Sequence, residues 1–173
     1  ITLLLNSPGG DVVETLALID YIRTLKDNED ISTNIVCRGS AMSAAALLLS
    51  CGTGLRAASK HSKVMVHQLS TMNFGKLEDI KSNAKFAEQL EDDCNTLMAE
   101  VTKKDKEFWK ENQRSDYFLS ANEALSGTGG ENIGVRGLSI FDHEILVADE
   151  NITPSDTSFK VKLPNLPSGT SVG

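Results

Sequence analysis

Short apolar runs alternate with segments of helical period along most of the chain. This alternation limits the fold more than any other feature, because parallel strands need a long crossover between them and that crossover is ordinarily a helix. Ile1 to Leu5 reads as a buried strand. Val12, Leu16, Ile19, Ile22 and Leu25 then recur at the helical period, behind the turn-forming pair Gly9-Gly10 and with Asp11 beside the positive end of the helix. Lys26 to Asp30 reads as a charged loop and Ile31 to Cys37 as the next strand. Ala44 to Ser50 is a second helix closed by Cys51-Gly52, and Val64 to His67 is a further strand. The pattern implies an α/β fold built from βαβ units around a mostly parallel sheet.

The longest periodic segment runs from about Leu77 to Lys104, with Ile80, Ala84, Ala87, Leu90, Cys94, Leu97 and Val101 along one face and charges on the other. A helix of that length would run ~42 Å. One small core does not need so long an element, so part of it is expected to pack on another subunit. Further along, Leu119 to Leu125 reads as a short helix, SGTGGENIGVRG as a glycine-dense loop, and Leu138 to Phe141 and Glu144 to Ala148 as strands. Residues 1–148 are read as one domain. Residues 149–173, rich in Pro, Ser and Thr, are read as an exposed or partly disordered tail in which Phe159 to Leu163 has the alternation of an edge strand. The chain opens on an apolar run at Ile1 without a methionine, so a segment upstream is expected.

A length of 173 residues suits a single core. The net charge of -7 argues against a nucleic-acid partner, and no apolar stretch approaches the ~20 residues that span a bilayer. Cys37, Cys51 and Cys94 are odd in number and lack paired metal-ligand spacing, which points to free thiols in a reducing, cytoplasmic setting.

Chemistry is suggested by RGSAMSAAALLLSCG, residues 38–52, where Ser40 and Ser43 precede a run of small and apolar residues. Ser43 stands where that run turns helical, beside first-turn N–H groups that have no partner within a helix. It reads either as an N-cap or as a nucleophile at a strand-to-helix elbow. A serine nucleophile needs a base. Of the three histidines, His61 and His143 lie in polar contexts, whereas His67 ends the apolar strand Val64-Met65-Val66. A base needs an acid to fix its tautomer, and Asp116, ahead of Tyr117-Phe118-Leu119, is one of many candidates. The turn NSPGGDV, Asn6 to Val12, reads either as an ordinary strand-to-helix turn or as backbone able to present N–H groups to a ligand.

Taken in order, NSPGG, GSAMSAA, VMVHQ, the long helix and SDYFLSANEA resemble the ClpP family of self-compartmentalising serine peptidases over Ile1 to about Leu138. The resemblance implies a ClpP/crotonase-like spiral whose long helix is the family's handle. It implies Ser43 as nucleophile, His67 as base, Asp116 as orienting acid, and the N–H groups of Gly10 and Ala44 as the oxyanion hole, with no metal or organic cofactor. It further implies heptameric rings paired face to face, polypeptide substrates, and a separate AAA+ ATPase, since this sequence has no GxxxxGK[ST] loop.

Departures from the family pattern are Met42 and Ala44 around the serine, Gln68-Leu69-Ser70-Thr71 after the histidine without the usual Pro and Gly, and Gly137 where an aspartate is usual. Such divergence fits a phage-type member acting on capsid or scaffold proteins. Other readings of the same residues are a crotonase-type acyl-CoA enzyme, a Ser/Lys enzyme using Lys60, Lys63 or Lys76, and a catalytically silent ring subunit.

Overall fold

The computed structural model describes residues 1–124 and the backbone of residues 143–145. Its strands are β1 (Thr2–Ser7), β2 (Asn34–Met42), β3 (Arg56–Ser59), β4 (Lys63–Val66), β5 (Tyr117–Ser120) and β6 (His143–Ile145). Its helices are α1 (Val12–Glu29), α2 (Ala44–Ser50), α3 (Leu77–Val101), α4 (Lys106–Asn112) and α5 (Ala121–Ala124). The strands form one sheet in the order β5-β4-β2-β3-β6, with β1 also paired to β2. Every pairing is parallel except that of β4 with β5. The α/β fold read from the alternation is therefore the fold observed.

The helical stripes face inward as their spacing requires. Ile19 and Ile22 of α1 are buried and Val12, Leu16 and Leu25 are half-buried. Helix α2 touches β1, β2, β4, α1 and α3, so it is enclosed on nearly every side and all its residues except Leu48 are buried. Small side chains at Ala44, Ala45 and Ala46 permit that close approach.

Helix α3 is different: its buried residues are Asn95, Leu97 and Met98, all in the C-terminal part, while Leu77 and Phe86 are exposed. At 25 residues it is ~37 Å long. It stops at Val101, not Lys104, because Thr102 caps it: the Thr102 hydroxyl donates to Met98 O at 2.6 Å and accepts from the indole N–H of Trp109 at 3.0 Å. Trp109 itself is fully buried, with its ring edge-on to Phe108 at 5.2 Å between centroids.

Several local readings are corrected. Lys26 to Glu29 is helix, not loop; Lys26 pairs with Asp30 at 2.6 Å, and Asp30 in the left-handed region (φ 53°) ends α1 by donating its N–H to Leu25 O and Lys26 O. The second strand starts at Asn34 and continues five residues beyond Cys37, to Met42. Leu119 and Ser120 belong to a strand, because Tyr117–Ser120 pairs antiparallel with β4, and the helix begins only at Ala121. Ser120 and Glu123 form a capping box: Ser120 N donates to Glu123 Oε2 at 2.8 Å and the Ser120 hydroxyl donates to the same oxygen at 2.6 Å. β3 and α4 have no counterpart in the sequence reading. Of the strand expected at Glu144 to Ala148, backbone is described for His143–Ile145. The strand expected at Leu138 to Phe141, the domain limit at 148 and the tail lie outside the described residues.

Candidate active site

Strand β2 delivers Ser43, and a bulge in it decides where. Over Asn34 to Cys37 the strand pairs with β1 and β3, and over Ser40 to Met42 it pairs with β4. Between these stretches its register with β1 slips, from Leu5 opposite Cys37 to Ser7 opposite Ala41. Side chains fill the gap in the ladder: Asn6 Oδ1 accepts from Ser40 N at 3.0 Å, and the Ser62 hydroxyl donates to Cys37 O at 3.1 Å and accepts from Gly39 N at 3.3 Å. Gly39 has φ 106°, and a Cβ there would lie 2.5 Å from Asn6 Oδ1. Glycine is therefore required at the bend.

Past the bend, Ser43 N donates to Met65 O at 2.8 Å and the chain turns directly into α2. Ser43 has φ 55° and ψ -128°, a conformation that costs a non-glycine residue about 1–3 kcal/mol. Although it stands at the N-cap of α2, its hydroxyl makes no capping bond. The Oγ lies instead 2.8 Å from His67 Nε2, on the residue after β4. That distance is within the reach a base needs to take the hydroxyl proton.

The turn after β1 packs against the same serine. Gly9 has φ 108°, its N–H donates to Ser7 Oγ at 3.1 Å, and a Cβ at Gly9 would lie 2.7 Å from Ser43 Cβ and 2.8 Å from Met42 O. Gly10 faces open space, and Asp11 accepts from Glu14 N at 3.0 Å to start α1. Among the described residues, the N–H groups of Gly10 and Ala44 have no hydrogen-bond partner. A pair of unpaired main-chain donors beside a hydroxyl can accept an oxyanion.

These groups open onto a cleft of about 150 Å³, lined by Gly10, Ser43, Ala44 and His67 together with Glu91, Cys94 and Met98 of α3. Burial, and then the charges of Asp93 and Glu91, push the Cys94 thiol up to about 11, which keeps it protonated at neutral pH. Burial likewise pushes Cys51 up to about 12 and raises Cys37.

Asp116 is exposed and makes no hydrogen bond or ion pair among the described residues. The ladder between β4 and β5 ends with Val66 opposite Tyr117, so His67 and Asp116 are the residues just beyond its last pair. Lys60, Lys63 and Lys76 are exposed and lie outside the cleft, as does His61.

The sequence reading missed Gly9, whose contact with Ser43 depends on two distant segments. It also missed Glu91. The signal was present, since Glu91, Cys94 and Met98 stand at i, i+3 and i+7 and so share one stripe of α3.

Comparison with known proteins places these residues in context. A family model described as "Clp protease" matches residues 1–127. The chain is 40% identical over 126 residues to a protein of Prochlorococcus marinus (strain MIT 9312) named "ATP-dependent Clp protease proteolytic subunit 2", covering 72% of this chain and 60% of that protein. It is 38% identical over 122 residues to "ATP-dependent Clp protease proteolytic subunit 1" of the same organism, covering 70% of this chain and 60% of the relative. The chain thus spans 60% of the length of the curated relatives it matches.

Proposed function

The chain belongs to the Clp protease family, and from that premise we propose that it is a serine endopeptidase that cleaves unfolded or partly unfolded polypeptides. The observation that carries this reading is the 2.8 Å contact of Ser43 Oγ with His67 Nε2. In the proposed reaction His67 takes the Ser43 proton as Oγ attacks the peptide carbonyl. The N–H groups of Gly10 and Ala44 receive the oxyanion, and the imidazolium then protonates the leaving amine. Water, deprotonated by His67, attacks the acyl-enzyme, releases the carboxylic acid and restores the serine. Asp116 is the proposed orienting acid.

For the assembly we propose a homo-oligomer of heptameric rings, stacked in pairs through α3. Met72, Phe74, Leu77 and Phe86 support this, since they leave a large apolar surface on α3 and the loop before it, Met72 and Phe74 being 79% and 81% exposed. A separate AAA+ ATPase is the proposed source of unfolded chains. A cytoplasmic site is proposed from the three unpaired cysteines. No helix among the described residues is long and apolar enough to cross a membrane.

Labelling with a fluorophosphonate tests the reading. The expected result is modification of Ser43, read by peptide mass spectrometry, and its loss in His67→Ala. An assembled, folded sample that takes no label would reject the peptidase, and label that survives His67→Ala but disappears on replacing a lysine would reject histidine as the base.

Gly9 supplies a second test. Any Cβ at this position must push on the backbone of the elbow, and the φ of 108° resists a side chain whatever space is made. Gly9→Ala is expected to lower kcat/KM for a peptide substrate by about 10²-fold, the scale of an ~1 Å misplacement of reacting groups. A steady-state assay checks it, alongside a thermal melt.

A further inference from the structure

We infer that Glu91 makes the cleft beside Ser43 select a basic side chain, lysine or arginine, on the residue whose carbonyl is attacked. The inference rests on the peptidase reading and specifies its substrate preference.

The cleft has two kinds of lining. Leu47 of α2, Val66 of β4, Leu69 of the segment after β4 and Met98 of α3 give it hydrocarbon surface. Glu91 lines the same cleft two turns of α3 before Met98, ~10 Å along the helix axis. A side chain that occupies the cleft has both apolar surface and a carboxylate within its lining. Lysine and arginine suit both, with an alkyl stem and a terminal cation. An uncharged aliphatic chain covers the apolar surface and leaves the carboxylate without a counter-charge.

The charge on Glu91 is held in place and is not cancelled. Gln68 donates its side-chain amide to Glu91 Oε1 at 3.1 Å, and Gln68 is itself fixed by its N–H, which donates to Gln113 O at 2.6 Å. The amide is neutral. Among the described residues no cation pairs with Glu91, whereas the adjacent Asp92 is paired with Lys106 at 2.7 Å. Glu91 is half-buried, which strengthens its attraction for a cation relative to a fully exposed carboxylate.

The test compares two fluorogenic peptides that differ only before the scissile bond, one with lysine and one with norleucine, which has the same stem without the ammonium. With the full chain in its assembled form, kcat/KM is expected to favour lysine by about tenfold, the scale of one partly desolvated ion pair. Glu91→Gln should bring the ratio close to one, and Glu91→Lys should reverse it. Raising KCl with the unaltered protein should also shrink the ratio, a readout that does not depend on a variant folding. A ratio near one in the unaltered protein, or a lysine preference that neither salt nor Glu91→Gln changes, overturns the assignment. Loss of Ser43-dependent hydrolysis for both peptides would overturn the peptidase reading instead, and the preference with it.

Discussion

Ser43→Ala is expected to lower kcat for peptide hydrolysis by about 10⁴- to 10⁶-fold, and His67→Ala by a similar factor, with the double variant little worse than either alone. Non-additivity is the informative part. The two side chains are 2.8 Å apart and form one reacting unit, so removing either leaves the other with nothing to activate or to be activated by. Residual rate would come from binding and from the main-chain donors of Gly10 and Ala44. Stability should change little in Ser43→Ala, because the hydroxyl makes no capping bond in α2 and its partner His67 is only half-buried. A melt within a few degrees of the unaltered protein would therefore attribute the lost rate to chemistry. Multiplying effects in the double variant would mean that the two residues act separately, and a loss below tenfold in Ser43→Ala would end the serine mechanism.

The parts of this molecule that sequence made readable are those decided locally. Ala44 to Ser50 is legible to its observed ends because a run of small and apolar residues closed by Cys51-Gly52 has few other uses, and the α1 stripe from Val12 to Leu25 faces inward, with Ile19 and Ile22 buried at its centre. Sequence and structure differ where a distant segment decides. Arg38-Gly39 resembles a strand end, yet Asn6 and Ser62 repair the ladder there and β2 continues to Met42. Leu119 is apolar and followed by helix formers, but β4 was already in place to pair with it. Lys26 to Glu29 reads as loop on charge alone, although exposed helix ends carry charge as readily as loops do.

The same division runs through the site. Ser43 alone could be a cap or a nucleophile, and only the position of His67, 24 residues away, separates the two geometries. Glu91 shares one stripe of α3 with Cys94 and Met98, but that this stripe faces the cleft depends on how α3 lies against α2.

Asp116→Asn is expected to lower kcat by about 10⁴-fold at neutral pH while leaving the Ser43 to His67 spacing intact. The argument begins with the sheet. Lys63 to Val66 pair with Ser120 to Tyr117 in unbroken antiparallel register, and His67 and Asp116 stand just past the last pair. Carried one step further, that register would put them on the same face with Cβ atoms about 4.5–5.5 Å apart. A carboxylate there is close enough to meet the imidazole once its side chain turns inward, and because Nε2 is engaged by Ser43, the free ring nitrogen is Nδ1. Accepting an Nδ1–H bond would keep Nε2 unprotonated, ready to take the serine proton, and would stabilise the imidazolium that follows. Asparagine has the same shape but no charge, and its amide group can donate to Nδ1 and so stabilise the wrong tautomer. In the single chain Asp116 is exposed and unbonded, so this contact must be made by a side-chain rotation. Loss near 10⁴-fold in Asp116→Asn, with fluorophosphonate labelling slowed in parallel, would show that the rotation occurs in the working enzyme. A change of less than tenfold would assign the chemistry to Ser43 and His67 alone and make the exposed position of Asp116 its functional one.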